Sequence, residues 1–384
     1  QLLHLQGFHE KNGTRGQRRT EYSFYLQDNY KMTGKLALNL GLRYDVFSRW
    51  PWTEVGDRQA QFLLDRGAVY PVGSSEVPSR SGTDTDYNNL SPRVGLAYAA
   101  NPRTTLRAAY GVFYAVLTRD VNSNLAANPP FVGRLTYPND QFDFPGARRL
   151  SQGFDRPATF PTLGASLSSV RVDIKSPSVQ QWNVNIQRQL PAEVLLTIAY
   201  IGTKGTNLIY GRDINLPVPG PGAVAPRRLY PQYADIQFLT SEANSSYHSL
   251  QLTAERRFSR GPSFLGAYTL GHCLSDAEAV QNPRDRRSDR GACDLDLRQR
   301  FVFSYNYELP LGRGKAWLAD LGRVGDALLG GWQMNGILNL YSGFPFTPSS
   351  AINTLNSPGS SQRASYVGGC DAVADPESLR PLVG

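Results

Sequence analysis

The side chains that could carry chemistry are few and poorly arranged for catalysis. The 384-residue chain has 4 His and 3 Cys. It contains no G-x-S-x-G, H-E-x-x-H, C-x-x-C or G-x-x-x-x-G-K-[ST], the spacings that build a nucleophile elbow, a zinc site, a redox pair or a phosphate loop. Gly312-Arg313-Gly314-Lys315 is a Gly-basic turn without the spacing or hydroxyl of a phosphate loop. His4, His9, His248 and His272 lack ligand spacing, although His248 and His272 could meet on neighbouring strands. The densest charged stretch, Asp276 to Arg300, sets Asp285, Asp289, Asp294 and Asp296 among Arg284, Arg286, Arg287 and Arg290. Carboxylates at such density can hold calcium, but the interspersed guanidinium groups oppose a cation and favour a salt-bridged loop. Cys273 and Cys293 flank this stretch and Cys370 is left over. A bridge between the first two and a pair of free thiols are both open at this point. The expectation is a non-enzymatic chain with no cofactor or metal site.

The elements that would position these residues show themselves by period. Leu36, Leu38, Leu40, Leu42, Tyr44 and Val46 alternate with Lys35, Ala37, Asn39, Gly41, Arg43 and Asp45. Strands send successive side chains to opposite faces, whereas a helix would mix the two sets. The pattern returns in Tyr22–Leu26, Val94–Tyr98, Leu106–Tyr114, Trp182–Ile186, Leu250–Ala254 and Phe301–Tyr307. It is weaker in Val194–Ile201, Phe264–Leu274 and Trp332–Tyr341. About ten strands are expected. Their connections alternate between tight turns (Lys31–Gly34, Ala100–Arg103, Leu190–Ala192, Ser259–Pro262) and long segments after Phe47, Val116, Thr203 and Ser275. The long ones are read as roughly 40, 60, 40 and 20 residues, well beyond the usual structureless loop. Such an alternation describes an antiparallel meander with all its long loops at one end, as in outer-membrane barrels. Many strands are long for a soluble sheet, and Tyr, Phe and Trp gather near their ends, as in interfacial girdles. Between the last two strands, Trp317, Leu318, Leu321, Val324 and Leu328 recur at helical spacing, which predicts a short amphipathic helix over 315–329.

Composition agrees. The chain is 40% hydrophobic and 11% aromatic, too apolar for a disordered protein. No apolar run reaches the roughly 18 residues of a membrane-spanning helix. The net charge of +8 raises anionic partners, but no dense Lys/Arg block accompanies it, so nucleic acid is not expected.

Eight stretches, in order along the chain, resemble the TonB-dependent outer-membrane receptors, specifically their Oar-like β-barrel group. They are YLQDNYKMTGKLALNLGLRYD, NNLSPRVGLAY, TTLRAAYGVFY, SVQQWNVNIQRQL, AYIGTKGTNL, SLQLTAERRFSRG, RQRFVFSYNYELPLGRGK and GGWQMNGILNLYSGFPFTP. Each alone is degenerate; their succession is what is specific. The resemblance implies an all-β chain: an antiparallel meander of about ten strands from a transmembrane barrel of about 22, truncated at both ends. Residues 1–384 would be one partial barrel domain. The signal peptide, N-terminal regulatory-like domain, plug and TonB-contacting box would be absent, as would the final strand with its terminal aromatic. It further implies residence in the cell outer membrane, contact with its lipid, and an unidentified transported ligand. A non-transport, adhesin-like surface barrel is the alternative. Leu38, Leu40, Val94, Leu106 and Ile186 should face lipid, and Asn39, Arg43, Gln187 and Gln251 the lumen. In the oxidising compartment so implied, Cys273 and Cys293 are expected to form a disulfide of about 3 kcal/mol in the chain-entropy account.

Overall fold

The structure, a computed structural model, describes residues 3–10, 17–54, 56–116, 124–139, 164–257, 262–277, 280–320, 322–350, 354–357, 359 and 362–363. Its strands are β1 (Leu3–Glu10), β2 (Gln17–Lys31), β3 (Leu36–Glu54), β4 (Ala60–Leu63), β5 (Ala68–Pro71), β6 (Asn89–Asn101), β7 (Thr104–Tyr114) and β8 (Val132–Asn139). They continue with β9 (Leu167–Val170), β10 (Ser178–Gln189), β11 (Val194–Asp213), β12 (Ile236–Arg256), β13 (Ser263–Ser275), β14 (Gly291–Ala292), β15 (Gln299–Glu308) and β16 (Gln333–Tyr341). One α-helix, α1 (Arg323–Leu329), is seen among the described residues. No described helix is long and apolar enough to cross a membrane.

Ten strands form one antiparallel meander in the order β16-β15-β13-β12-β11-β10-β7-β6-β3-β2. Two short strands attach to it: β14 on β13, and β9 parallel to β12. The expected all-β meander of about ten strands is therefore what the chain adopts. Its tight turns have local causes. Thr33 Oγ1 accepts from Lys35 N and Leu36 N at 3.2 and 3.0 Å, and Asn101 Oδ1 accepts from Arg103 N at 3.0 Å. These are the side-chain turns that Thr and Asn make readily.

Register converts the alternation into continuous faces. Leu36, Tyr98, Leu106, Ile186, Ile198, Leu252, Tyr268, Phe301 and Leu340 lie opposite one another in a single row across nine strands. That row starts at the tight-turn end of the apolar run on β3 and finishes at the long-loop end of the run on β16. The apolar band thus slips by about one residue per strand. At roughly 3.3 Å per residue and 4.8 Å per strand, this corresponds to strands tilted by about 35° from the band's normal, within the tilt of membrane barrels.

The long connections depart from expectation. They are not structureless. The run after Thr203 shrinks to residues 214–235 because β11 and β12 reach 20 and 21 residues. Their pairing resumes past a bulge between Gly205 and Tyr210, which periodicity alone does not foresee. β4 and β5 form a hairpin within the connection after β3. β1 pairs with β8 as a separate ribbon. The helix also differs: it covers seven residues, not the full 315–329. Leu318 has a left-handed backbone (φ 60°) and Trp317 bridges Leu311, so the first half of the segment turns back on itself and only the part after Gly322 coils.

The buried apolar core lies among the long connections. Phe47, Leu125, Val170 and Ile174 form one cluster, and Phe62, Leu167, Tyr233 and Ile236 a second. The sheet face carrying the apolar row is instead exposed, with Leu40, Val94 and Ile186 among its uncovered side chains.

Candidate functional site

Two surfaces can meet a ligand: the polar face of the sheet, and the layer of folded connections at its long-loop end. The polar face is assembled by the same register. Asn39 stands opposite Asn29 and Gly95, then Ala109 and Asn183 follow across the sheet. Asn39 donates to the Asn29 carboxamide oxygen. Small residues leave a concavity of about 440 Å³ there, lined by Asn29, Asn39, Gly95, Ala109, Asn183 and Asn185 among others. Nearer the long-loop end, Arg43 Nε donates to both Asp45 oxygens at 3.0 Å, while Ser23 Oγ donates to Asp45 Oδ1 at 2.6 Å. Arg93 lies over the Phe113 ring at 4.7 Å, and Arg107 donates to Gln187 at 2.9 Å. Asn39, Arg43, Gln187 and Gln251 thus share one face. Leu38, Leu40, Val94, Leu106 and Ile186 share the other, the division read from the sequence.

The loop layer is held by short polar side chains that replace missing ladder bonds. Asn128 donates to the carbonyls of Ala60 and Ser168, and accepts from Ser168 N at 2.8 Å. Gln61 bonds Val170 through both ends of its amide. Asn215 donates to the carbonyls of Tyr230, Tyr233 and Ala234 and accepts from Tyr230 N. Buried backbone groups must find partners, and these residues provide them where no strand does. Phe62 packs edge-on against Tyr230 and Tyr233, with ring centroids 5.0 and 5.5 Å apart. Burial pushes the Asp213 carboxyl above the ordinary carboxylate range, even though Ile236 N and Asn215 N both donate to it. At the layer's surface the Arg171 hydrogen bond holds Asp173 below that range. The sequence reading missed Asn128 and Asn215. Their signal is a side chain prone to turns ahead of proline: Asn128-Pro129-Pro130 and Asn215-Leu216-Pro217.

The Arg/Asp-rich loop is salt-bridged both within itself and to a neighbouring segment. Asp289 pairs with Arg363, Arg286 reaches Asp276 at 3.7 Å, and Asp285 caps Arg287 N at 3.2 Å. Asp296 is buried, accepting from Cys273 N at 2.8 Å and contacting His272 Nδ1 at 2.7 Å. Arg284 donates to the Leu216 carbonyl, so the guanidinium groups tie this loop to its neighbours. Among the described residues no three His, Cys, Asp or Glu side chains gather as metal ligands. His248 and His272 do stand opposite each other, but each is engaged elsewhere: His248 Nδ1 meets Tyr200 OH at 2.8 Å. The structure joins Cys273 and Cys293, with Cα atoms 5.4 Å apart. Cys370 lies outside the described residues.

A tilted antiparallel meander with one uncovered apolar face, one polar face and loops massed at one end is the wall of a membrane β-barrel. The chain matches the family model of the outer membrane beta barrel domain over residues 6–381, and it belongs to that family. Its place is the outer membrane. Similar solved structures include the outer membrane transporter YddB from Escherichia coli (10% identity, TM-score 0.45, covering 75% of this chain and 31% of that one). The alcaligin outer membrane receptor FauA from Bordetella pertussis gives 12% identity, TM-score 0.39, and coverage of 85% and 38%. The FrpB iron transporter from Neisseria meningitidis gives 11%, 0.40, and 76% and 30%. The chain spans about a third of the length of these structures. No curated protein sequence matches it.

Proposed function

We propose that the chain is a section of a TonB-dependent receptor barrel of the Oar-like group, within a protein that moves a ligand across the outer membrane. The ordered succession of the eight strand motifs supports the group. The observation that carries the function is the loop layer: two apolar clusters and a net of Asn and Gln amides build a firm surface at one mouth of a polar-walled sheet. A rigid surface there presents side chains to a ligand, and the polar wall below offers it a path. In this reading residues 1–384 are one partial barrel domain. The plug, signal peptide, regulatory-like domain and TonB-contacting box belong to other parts of the parent, and the long loops face outward. The bracing of the loops also favours a second reading, an adhesin-like barrel that binds partners without transport. The two differ in their need for TonB. Capture of the TonB periplasmic domain by the intact parent protein, with ligand uptake lost in a tonB-deleted strain, is expected for the transporter. Uptake that is absent in both strains, with surface binding retained, would replace it by the second reading.

The Cys273–Cys293 bridge is proposed as a structural clamp on the Arg/Asp-rich loop. It should resist thiol alkylation in the unreduced native protein. Its removal by C273S/C293S is expected to cost the loop about 3 kcal/mol in the chain-entropy account. Full alkylation of both thiols before reduction would end this assignment.

A further inference from the structure

We propose that the lipid-facing side of β11–β13, just above its apolar run, binds the phosphate of an outer-leaflet lipid headgroup. The inference depends on the outward orientation of the long loops but not on transport. On β11 the outward residues from the tight-turn end are Val194, Leu196, Ile198, Tyr200, Gly202 and then Lys204. Ten residues at about 3.3 Å, on a strand tilted by about 35°, raise Lys204 roughly 27 Å above Val194, the height of a barrel's apolar band. The apolar run on β12 ends similarly, passing from Leu250 to His248 and Ser246. Lys204 stands directly opposite Ser246, and exposed Arg290 donates to Ser246 Oγ at 3.3 Å. Arg290 thus bonds the Ser246 hydroxyl and Lys204 occupies the paired position on the next strand, which puts two cations at the level where lipid headgroups lie. Neither forms an ion pair with a described carboxylate among the salt bridges of the structure.

The floor beneath is aromatic and polar at once. His248 lies against both Trp182 and Tyr200, at ring distances of 5.9 and 6.2 Å, with its Nδ1 held by Tyr200 OH. His272, the next residue across, is fixed by buried Asp296. Asp296 is buried, with its two oxygens occupied by that imidazole and by Cys273 N. Arg290 is placed by β14, whose pairing with β13 at Leu274 and Ser275 sits beside the Cys273–Cys293 link. Amphipathic rings below, with a Lys, an Arg and a hydroxyl above, complement a phosphorylated headgroup whose acyl chains run down the apolar face.

The test is lipid binding to the intact parent protein in detergent, followed by native mass spectrometry. The probes are lipid A, its dephosphorylated form, and inorganic phosphate as competitor. Lipid A should bind at least tenfold more tightly than the dephosphorylated lipid. K204A/R290A should lose roughly tenfold or more, whereas R188A/R256A, which removes two cations at the tight-turn end, should bind as the wild type. K204R should retain binding, which separates charge from folding. The proposal is overturned if K204A/R290A binds normally, if R188A/R256A loses as much, or if the dephosphorylated lipid binds equally. Full displacement by millimolar inorganic phosphate would assign the site to a free anion and likewise overturn the lipid.

Discussion

Gly202 shows how one missing side chain serves the wall. It stands opposite Trp182, and a Cβ built on it would enter the Trp182 indole. The ring therefore lies across the glycine, covering a strand position that would otherwise offer nothing to pack. Gly202→Ala should destabilise the folded barrel by about 1–3 kcal/mol through overpacking. The double variant G202A/W182A should recover part of that loss, read as the urea midpoint of insertion into lipid vesicles. Asp213 makes a second prediction at this scale. Its carboxyl is raised above its unfolded value by burial, so the folded layer binds the proton more readily than the unfolded chain. Its contribution is full below the unfolded carboxylate range and is lost as pH rises through the folded value. Asp213→Asn should flatten that decline, leaving the loop layer at least as resistant to pulse proteolysis at pH 7.5 as the wild type. A variant more labile at pH 7.5 would mean that the charge itself is stabilising.

A strand is the unit on which face chemistry acts. Leu40 lies near the middle of the apolar run on β3, and adjacent Asn39 lies on the polar face beside Asn29. In the intact protein, Leu40→Arg should cost about 2–4 kcal/mol in lipid, the price of a cation near the bilayer midplane. Asn39→Arg should cost markedly less, because its face is polar. Equal losses in vesicle folding would contradict the division of faces. The division was legible in the sequence because side chains alternate strictly along a strand, so one clean run such as Leu36–Val46 fixes both faces. The short helix was not equally legible. Apolar residues at helical spacing also suit a turn that folds back, and Leu318 and Trp317 take that course.

At the scale of the molecule, the sheet and the loop layer are held by different forces. The sheet has ladder hydrogen bonds and an exposed apolar face, while the layer has its own buried clusters. Phe62 is fully buried in the second cluster. Phe62→Ala should remove about 3–5 kcal/mol of packing, expressed locally. Hydrogen exchange should then accelerate in residues 60–63 and 230–236, with protection retained in β6, β7 and β10. Acceleration throughout the sheet would mean that layer and wall unfold as one unit.

The strand class, the two faces and the antiparallel order can be read from the chain alone, since they follow from a period of two residues and from turns made by Thr, Asn and Pro. So can the position of the cysteines on either side of one loop. Other features depend on contacts between distant parts of the chain. The offset that tilts the strands arises from register between them, a relation that no single strand carries. The extension of β11 and β12 beyond their apolar runs follows from pairing with each other and with β9. The pairing of Lys204 with Ser246, the bond from Arg290 to Ser246, and the bonds of Asn128 to Ala60 and Ser168 join residues tens of positions apart. Such contacts are set by where the chain returns, which local periodicity does not encode.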